Sequence, residues 1–259
     1  MPLHRDRDGA VLTLRLDNPG RRNALDLELA RELRDACTAV EGDRSVRCVV
    51  VTGTGDSFCS GADLGALRGE AAGGVLGRRE LLREYYRAFL DVRDLSVPVV
   101  AAVNGPAVGA GLNLALAADI RVAGRSARFG ATFVRLGIHP GGGASSMLVR
   151  LVGPGRAAEL LLSGAVIDAT RAEHIGLVER LVDDGEVAGV AALLAAEIAL
   201  GEPRTVRMTK RSLRLAAETT FESVLEVEAL AQAASQEAPA SAEGWAAFRE
   251  RRPPAFPDA

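Results

Sequence analysis

Lysine is almost missing from this chain of 259 residues: Lys210 is the only one, and arginine supplies the rest of the 31 basic residues. That bias reads as composition rather than function. Against 34 acidic residues it leaves a formal net charge of −3, so the basic footprint of a nucleic-acid binder is not expected. Cysteine is scarce as well. Cys37, Cys48 and Cys59 are odd in number and form no CxxC pair, which argues against a disulfide framework or a zinc ribbon and for a reducing compartment. No metal site is expected. Long hydrophobic runs are also lacking: the longest, near 97–103 and 187–196, are too short to span a bilayer. The first ten residues carry His4, Arg5, Asp6, Arg7 and Asp8 without an apolar stretch, so no signal peptide is expected. A cytoplasmic protein without a membrane span is the expectation.

What is present is an ordinary globular balance, 48% hydrophobic and 25% charged, in a chain long enough for one large domain with a full core. Leu12, Leu14 and Leu16 alternate with polar residues, as in a half-buried strand. Asp26 can cap a helix over about 26–41, with Leu29, Leu33, Ala36, Cys37 and Val40 as its apolar stripe. Residues 46–52 and 97–103 read as buried strands. A glycine-rich loop region over 54–77 leads to a helix expected over 80–95. Further helices are expected at 110–118, 144–151 and 154–162, with short strands at 120–123 and 175–180. From about 184 onward the pattern is helical. The fold class is therefore α/β, with strand–turn–helix units in the first two thirds and a helical last third.

Two glycine turns carry the chemical signal. In the first, the strand ending at Val103 runs through Asn104-Gly105-Pro106 and Gly109-Ala110-Gly111 into a helix. Small residues let backbone approach a ligand closely, and a helix start leaves N–H donors unpaired at the positive end of its dipole. A P-loop is excluded because Leu112-Asn113 follows Gly111, and a dinucleotide fingerprint because Leu114 occupies the place of its third glycine. In the second, the strand ending at Thr52 runs through Gly53, Gly55 and Ser60-Gly61-Ala62 to Asp63. Tight strand–helix packing is the competing reading of either turn. Together they offer two main-chain donors, one from each strand–turn–helix unit, of the kind a thioester oxyanion requires; such donors lower a barrier by roughly 3–4 kcal/mol each. No Gly-x-Ser-x-Gly elbow supports a serine hydrolase.

These pieces, with Arg22-Asn23-Ala24-Leu25, Phe58 to Leu64, Asp119, Phe129-Gly130, Leu136-Gly137, Pro140 to Gly143, Gly153 and the closing Arg252-Pro253-Pro254-Ala255-Phe256, run in one order across nearly the whole chain. In that order the chain resembles the enoyl-CoA hydratase/isomerase, or crotonase, family. The resemblance implies a crotonase-like ββα spiral over 1–200 followed by a helical oligomerisation region over 201–259, assembled as a homotrimer or hexamer. It implies an acyl-CoA or enoyl-CoA thioester as ligand, with coenzyme A part of the substrate and no separate cofactor. It puts the two oxyanion amides on Ala62 and Ala110, beside the turn glycine Gly109. It lays the CoA along Arg22, Ala24, Ala62, Asp63 and Leu64.

The departures concern proton transfer. The two glutamates of the family's hydratases fall on Asn113 and Phe133, neither of which moves a proton at neutral pH. Asn113 can still hydrogen-bond a ligand, and Phe133 can line the pocket. His139, beside Gly141 on the Gly137–Gly143 loop, titrates in a useful range, though a ring N–H bonded to a backbone carbonyl is the competing role. Glu80, Glu84, Tyr85 and Tyr86 lie where some relatives carry catalytic groups, with surface or core as the plain alternative. Arg204, Arg207, Lys210 and Arg211 read as a solvated face or a contact to CoA phosphates. Three functions follow: a hydratase/isomerase-type enzyme with altered acid–base groups, a non-catalytic acyl-CoA carrier or sensor, and a related decarboxylase or thioester hydrolase.

Overall fold

The structure, a computed structural model, describes residues 2–63 and 73–257. Leu64, one of the expected CoA contacts, lies outside the described residues. The centre is a six-stranded sheet built from β1 (Leu3–Asp8), β2 (Val11–Leu16), β3 (Cys48–Gly53), β4 (Val99–Val103), β6 (Ile120–Gly124) and β9 (Arg180–Val182), hydrogen-bonded in that order. β1 pairs antiparallel with β2, and the remaining pairings are parallel. A second, smaller sheet joins β5 (Ala107–Val108), β7 (Arg128–Gly130) and β8 (Val166–Asp168).

The central strands are apolar on both faces because both faces are covered. Successive side chains of a strand point to opposite sides. Val49 and Val51 of β3, with Val99, Ala101 and Val103 of β4, enter the larger core. That core also takes in α1 (Leu27–Gly42), α2 (Gly74–Asp94), α3 (Ala110–Ala117) and α4 (Ala144–Ser163). Cys48, Val50, Val100 and Ala102 face the other way, onto Val187, Ala191, Leu194 and Ala195 of α6 (Val187–Ala199). α5 (Ala169–His174) joins β8 to the turn before β9. The chain closes with α7 (Pro203–Ala216), α8 (Phe221–Glu237) and α9 (Pro239–Glu250).

Asp26 caps α1 as expected, its carboxylate accepting the Leu29 amide at 2.8 Å. α4 is broken at Gly153, where φ is 79°, which separates the two helices expected over 144–162. Other expectations change. Residues 3–8, for which no element was expected, form β1, and His4 pairs with Asp17 at 2.6 Å. The helix expected from residue 80 already starts at Gly74. Residues 175–178 are turn, and the strand lies later, at Arg180–Val182. Lys210 is not on a solvated face. Its Nζ is buried, donating to the Val97 carbonyl at 2.7 Å and pairing with Asp119 at 2.6 Å. No helix among the described residues is long and apolar enough to cross a membrane.

Candidate active site

The two glycine turns lie side by side. The Cys59 amide donates to the Pro106 carbonyl at 3.0 Å, and the Val108 amide donates back to the Cys59 carbonyl at 3.1 Å. On the other flank, the Leu25 amide donates to Gly61 (2.8 Å) and the Asp63 amide donates to Leu25 (2.9 Å). In parallel pairing one residue uses both neighbours of its opposite number. Leu25 therefore engages Gly61 and Asp63 and leaves the Ala62 N–H directed to the opposite side, where α3 begins. Short bridges at Leu25–Ala62 and Cys59–Ala107 extend the small sheet across both turns.

Glycine is required where these segments touch. Gly61 adopts φ +118°, and a Cβ on it would lie 2.9 Å from the Val108 carbonyl oxygen and 3.8 Å from the Ala110 nitrogen. Gly109 takes the positive φ, 55°, at the start of α3, and its amide is bound to the Gly130 carbonyl at 2.8 Å. The positive φ falls on Gly109, so Ala110 keeps a Cβ without strain. Ala110 is the first residue of α3, and first-turn amides have no acceptor within their own helix. Ala62, Gly109 and Ala110 are thus brought together.

The expected CoA-side residues are arranged by a neighbour that was quoted only as part of a motif. Asn23 is fully buried. Its Nδ2 donates to the carbonyls of Thr54 (2.9 Å) and Ser57 (2.7 Å), and its Oδ1 accepts the Asn18 amide at 2.9 Å. Arg22 and Asn23 both adopt left-handed backbone. For asparagine this is tolerated, and that was the signal available in the sequence. The Ser60 amide then closes onto the Arg22 carbonyl at 3.0 Å. Arg22 is exposed and Ala24 half-buried. The Asp63 carboxylate is ion-paired with Arg21, a contact that sequence reasoning missed.

A third wall is formed by α2, α3 and the 137–143 loop. Asn113, 2% exposed, donates through Nδ2 to the Gly141 carbonyl at 2.9 Å. Its Oδ1 is buried without a hydrogen-bond partner among the described residues. Tyr86 packs against the same loop. A Cβ on Gly141 would meet its Oη at 2.2 Å. Burial raises the Tyr86 phenol above its ordinary value, an effect that the nearby Gly142 backbone opposes. The Phe89 ring lies 5.9 Å from that of Tyr86. Phe133 is half-buried and packs on the main core.

Tyr86 also lines a groove of about 650 Å³ with Val75, Leu82, Arg78, Arg79 and Arg83. Its neighbour Tyr85 is core, donating to the Leu25 carbonyl at 3.0 Å, while Glu80 and Glu84 are exposed. His139 is exposed, with Nδ1 2.7 Å from the Pro140 carbonyl oxygen, the backbone-bonded role weighed above. Cys59 is buried, and burial pushes its thiol up to about 12. A thiol so protonated is not a nucleophile at neutral pH.

The family model described as enoyl-CoA hydratase/isomerase matches residues 6–259. The chain is 46% identical over 207 residues to "Probable enoyl-CoA hydratase EchA14" of Mycobacterium tuberculosis, covering 78% of this chain and 80% of that one. It is 35% identical over 248 residues to crotonyl-CoA hydratase of Syntrophomonas wolfei, covering 95% and 94%. A crystal structure of an enoyl-CoA hydratase from Bacillus anthracis superposes with a TM-score of 0.95 at 32% identity, over 100% of both chains. With a spiral of strand–turn–helix units, two apposed glycine turns and matches of this extent, the chain belongs to the enoyl-CoA hydratase/isomerase family and has the crotonase fold. The family acts on acyl-CoA thioesters.

Proposed function

We propose that this protein binds an acyl-CoA or enoyl-CoA thioester and stabilises its enolate between the main-chain amides of Ala62 and Ala110. The observation that carries the reading is the bonding of Leu25 to Gly61 and Asp63, which turns the Ala62 N–H away from Leu25, while the bonds of Cys59 to Pro106 and Val108 hold this turn against the segment that leads into α3. Donors fixed in advance need no reorganisation as charge develops on the thioester oxygen. The CoA portion runs along Arg22, Ala24, Asp63 and Leu64, over the platform that Asn23 holds rigid.

Acid–base work is done differently from hydratases that use two glutamates. Such groups contribute about 10²–10⁴-fold each, and an amide and a phenyl ring occupy positions 113 and 133. A second reading, an acyl-CoA carrier or sensor, is favoured by this same pair. Calorimetric titration with butyryl-CoA beside a hydration assay with crotonyl-CoA separates the two. The enzyme reading expects binding and turnover, and the carrier reading binding alone. Asn113→Glu with Phe133→Glu is expected to raise hydration. Brisk hydration of crotonyl-CoA by the wild type would contradict the account of these two positions.

The helical region 201–259 supports self-association into a trimer or hexamer. In the single chain Phe221, Leu230, Trp245 and Phe248 are each more than 60% exposed, more apolar surface than isolated helices leave in water.

A further inference from the structure

A second cavity, of about 220 Å³, lies at the opposite end of α3 from Ala110. Its walls come from the last turn of α3, the ends of α2 and α7, and the middle of α4. Four basic side chains line it: Arg93, Arg150, Lys210 and Arg214. Three of them are answered by carboxylates. Lys210 Nζ pairs with Asp119 at 2.6 Å. Arg93 and Arg150 reach the same Glu218 oxygen, Oε1, at 3.1 and 2.8 Å, and Arg93 also pairs with Asp94 at 3.1 Å.

Arg214 is left over. It shares a face of α7 with Lys210, one turn away, yet forms no ion pair among the described residues, and its Nη2 is buried without an acceptor. Burial draws its guanidinium below the ordinary value, an effect that the Asp119 charge opposes from beyond contact. A guanidinium stays charged in a protein, and a desolvated charge without a partner calls for an anion. Beside these charges the lining is apolar, from the buried Leu116 and Met147 and the half-buried Leu151.

We propose that this cavity binds a short-chain monocarboxylate, its carboxylate on Arg214 and its aliphatic tail against Leu116, Met147 and Leu151. One surplus positive charge matches one negative charge. Phosphate would set a hydrated dianion against apolar walls. Sites for drug-sized ligands hold about 300–1,000 Å³, so a CoA thioester has no room here. At roughly 30 Å³ for each displaced water, about seven non-hydrogen atoms fit, the size of pentanoate. The proposal does not rest on the acyl-CoA reading of the other site.

The test is ligand-observed NMR titration of the full-length protein with pentanoate, the neutral isostere pentanamide, and inorganic phosphate. Pentanoate should bind in the millimolar range, at least about tenfold tighter than pentanamide, as one charge-assisted pair corresponds to. That ratio depends on no variant folding. Arg214→Met should bring it toward one. Ala217 is exposed, in ordinary helical backbone at the end of α7, and Ala217→Trp should narrow the cavity and weaken pentanoate several-fold. Neither phosphate nor butyryl-CoA should displace pentanoate. Equal affinities for acid and amide, a preference that survives Arg214→Met, displacement by phosphate or by butyryl-CoA, or no binding at tens of millimolar would each overturn the site. A failure of butyryl-CoA itself to bind would strike the acyl-CoA reading and leave this site standing.

Discussion

Replacing Gly111 by alanine tests whether the contact between the two turns sets the geometry of the site. A Cβ at position 111 would stand 1.9 Å from the Cys59 carbonyl oxygen, 2.7 Å from its carbon and 2.9 Å from the Cys59 Cβ. That oxygen is held in place, since it accepts the Val108 amide at 3.1 Å. Ordinary contact begins near 3.4 Å, so α3 must retreat from the 59–62 segment by about 1.5 Å, an overpacking strain. Such strain costs about 1–3 kcal/mol, and the weakened hydrogen bond adds about 1. At roughly 2–4 °C per kcal/mol for a chain of this size, Tm should fall by roughly 4–16 °C. The Ala110 amide moves with the helix, so butyryl-CoA should bind at least about tenfold more weakly; displacements near 1 Å cost that much or more. Gly189→Ala is the control. Its Cβ meets nothing within 4 Å on exposed helix, and the change should stabilise by about 0.5–1 kcal/mol. Calorimetric melting and titration read both. A Gly111→Ala protein that keeps the wild-type Tm and Kd would refute the idea that these backbones are in enforced contact.

Lys210→Met should lower stability by about 3 kcal/mol, read as a lower urea midpoint at unchanged slope, because it strips the Val97 carbonyl and Asp119 of a buried partner; a loss below about 0.5 kcal/mol would show that this link to α7 is not structural. Acid should release the chain end. Glu243 accepts Arg252 at 2.6 and 2.9 Å and the Ala255 amide at 2.7 Å, and Arg252 chiefly draws its carboxyl from 4.5 down to about 2. A lowered carboxylate contributes fully above its unfolded value and is lost as pH falls through the folded one. Emission of Trp245, the only tryptophan, should therefore hold steady from pH 7 to 5 and change between 4.5 and 2. A change already complete at pH 6 would contradict this.

Where local chemistry was strong, the sequence was a sufficient guide. The β-branched runs of β3 and β4 need two covered faces, and the capped, striped segment after Asp26 has little choice but α1. The glycine turns were legible because positive φ and close approach admit no other residue. β1 was not, since only Leu3 of its six residues is buried and an edge strand held by main-chain bonds shows no alternation. Residues 175–178 misled for the opposite reason. Ile175, Leu177 and Val178 are buried, but in a turn, so burial without period imitated a strand. Tyr85 and Tyr86 are adjacent and chemically alike, yet only packing decides that the first serves the core and the second the candidate site. The pairing of Lys210 with Asp119 spans a separation in the chain that periodicity does not register.

A crystal structure with butyryl-CoA bound addresses the two amides most directly, because a saturated thioester binds without turning over. The expected result is a thioester oxygen within about 2.7–3.1 Å of both the Ala62 and Ala110 nitrogens. A bound thioester whose oxygen contacts neither amide, or only one of them, would contradict the assignment.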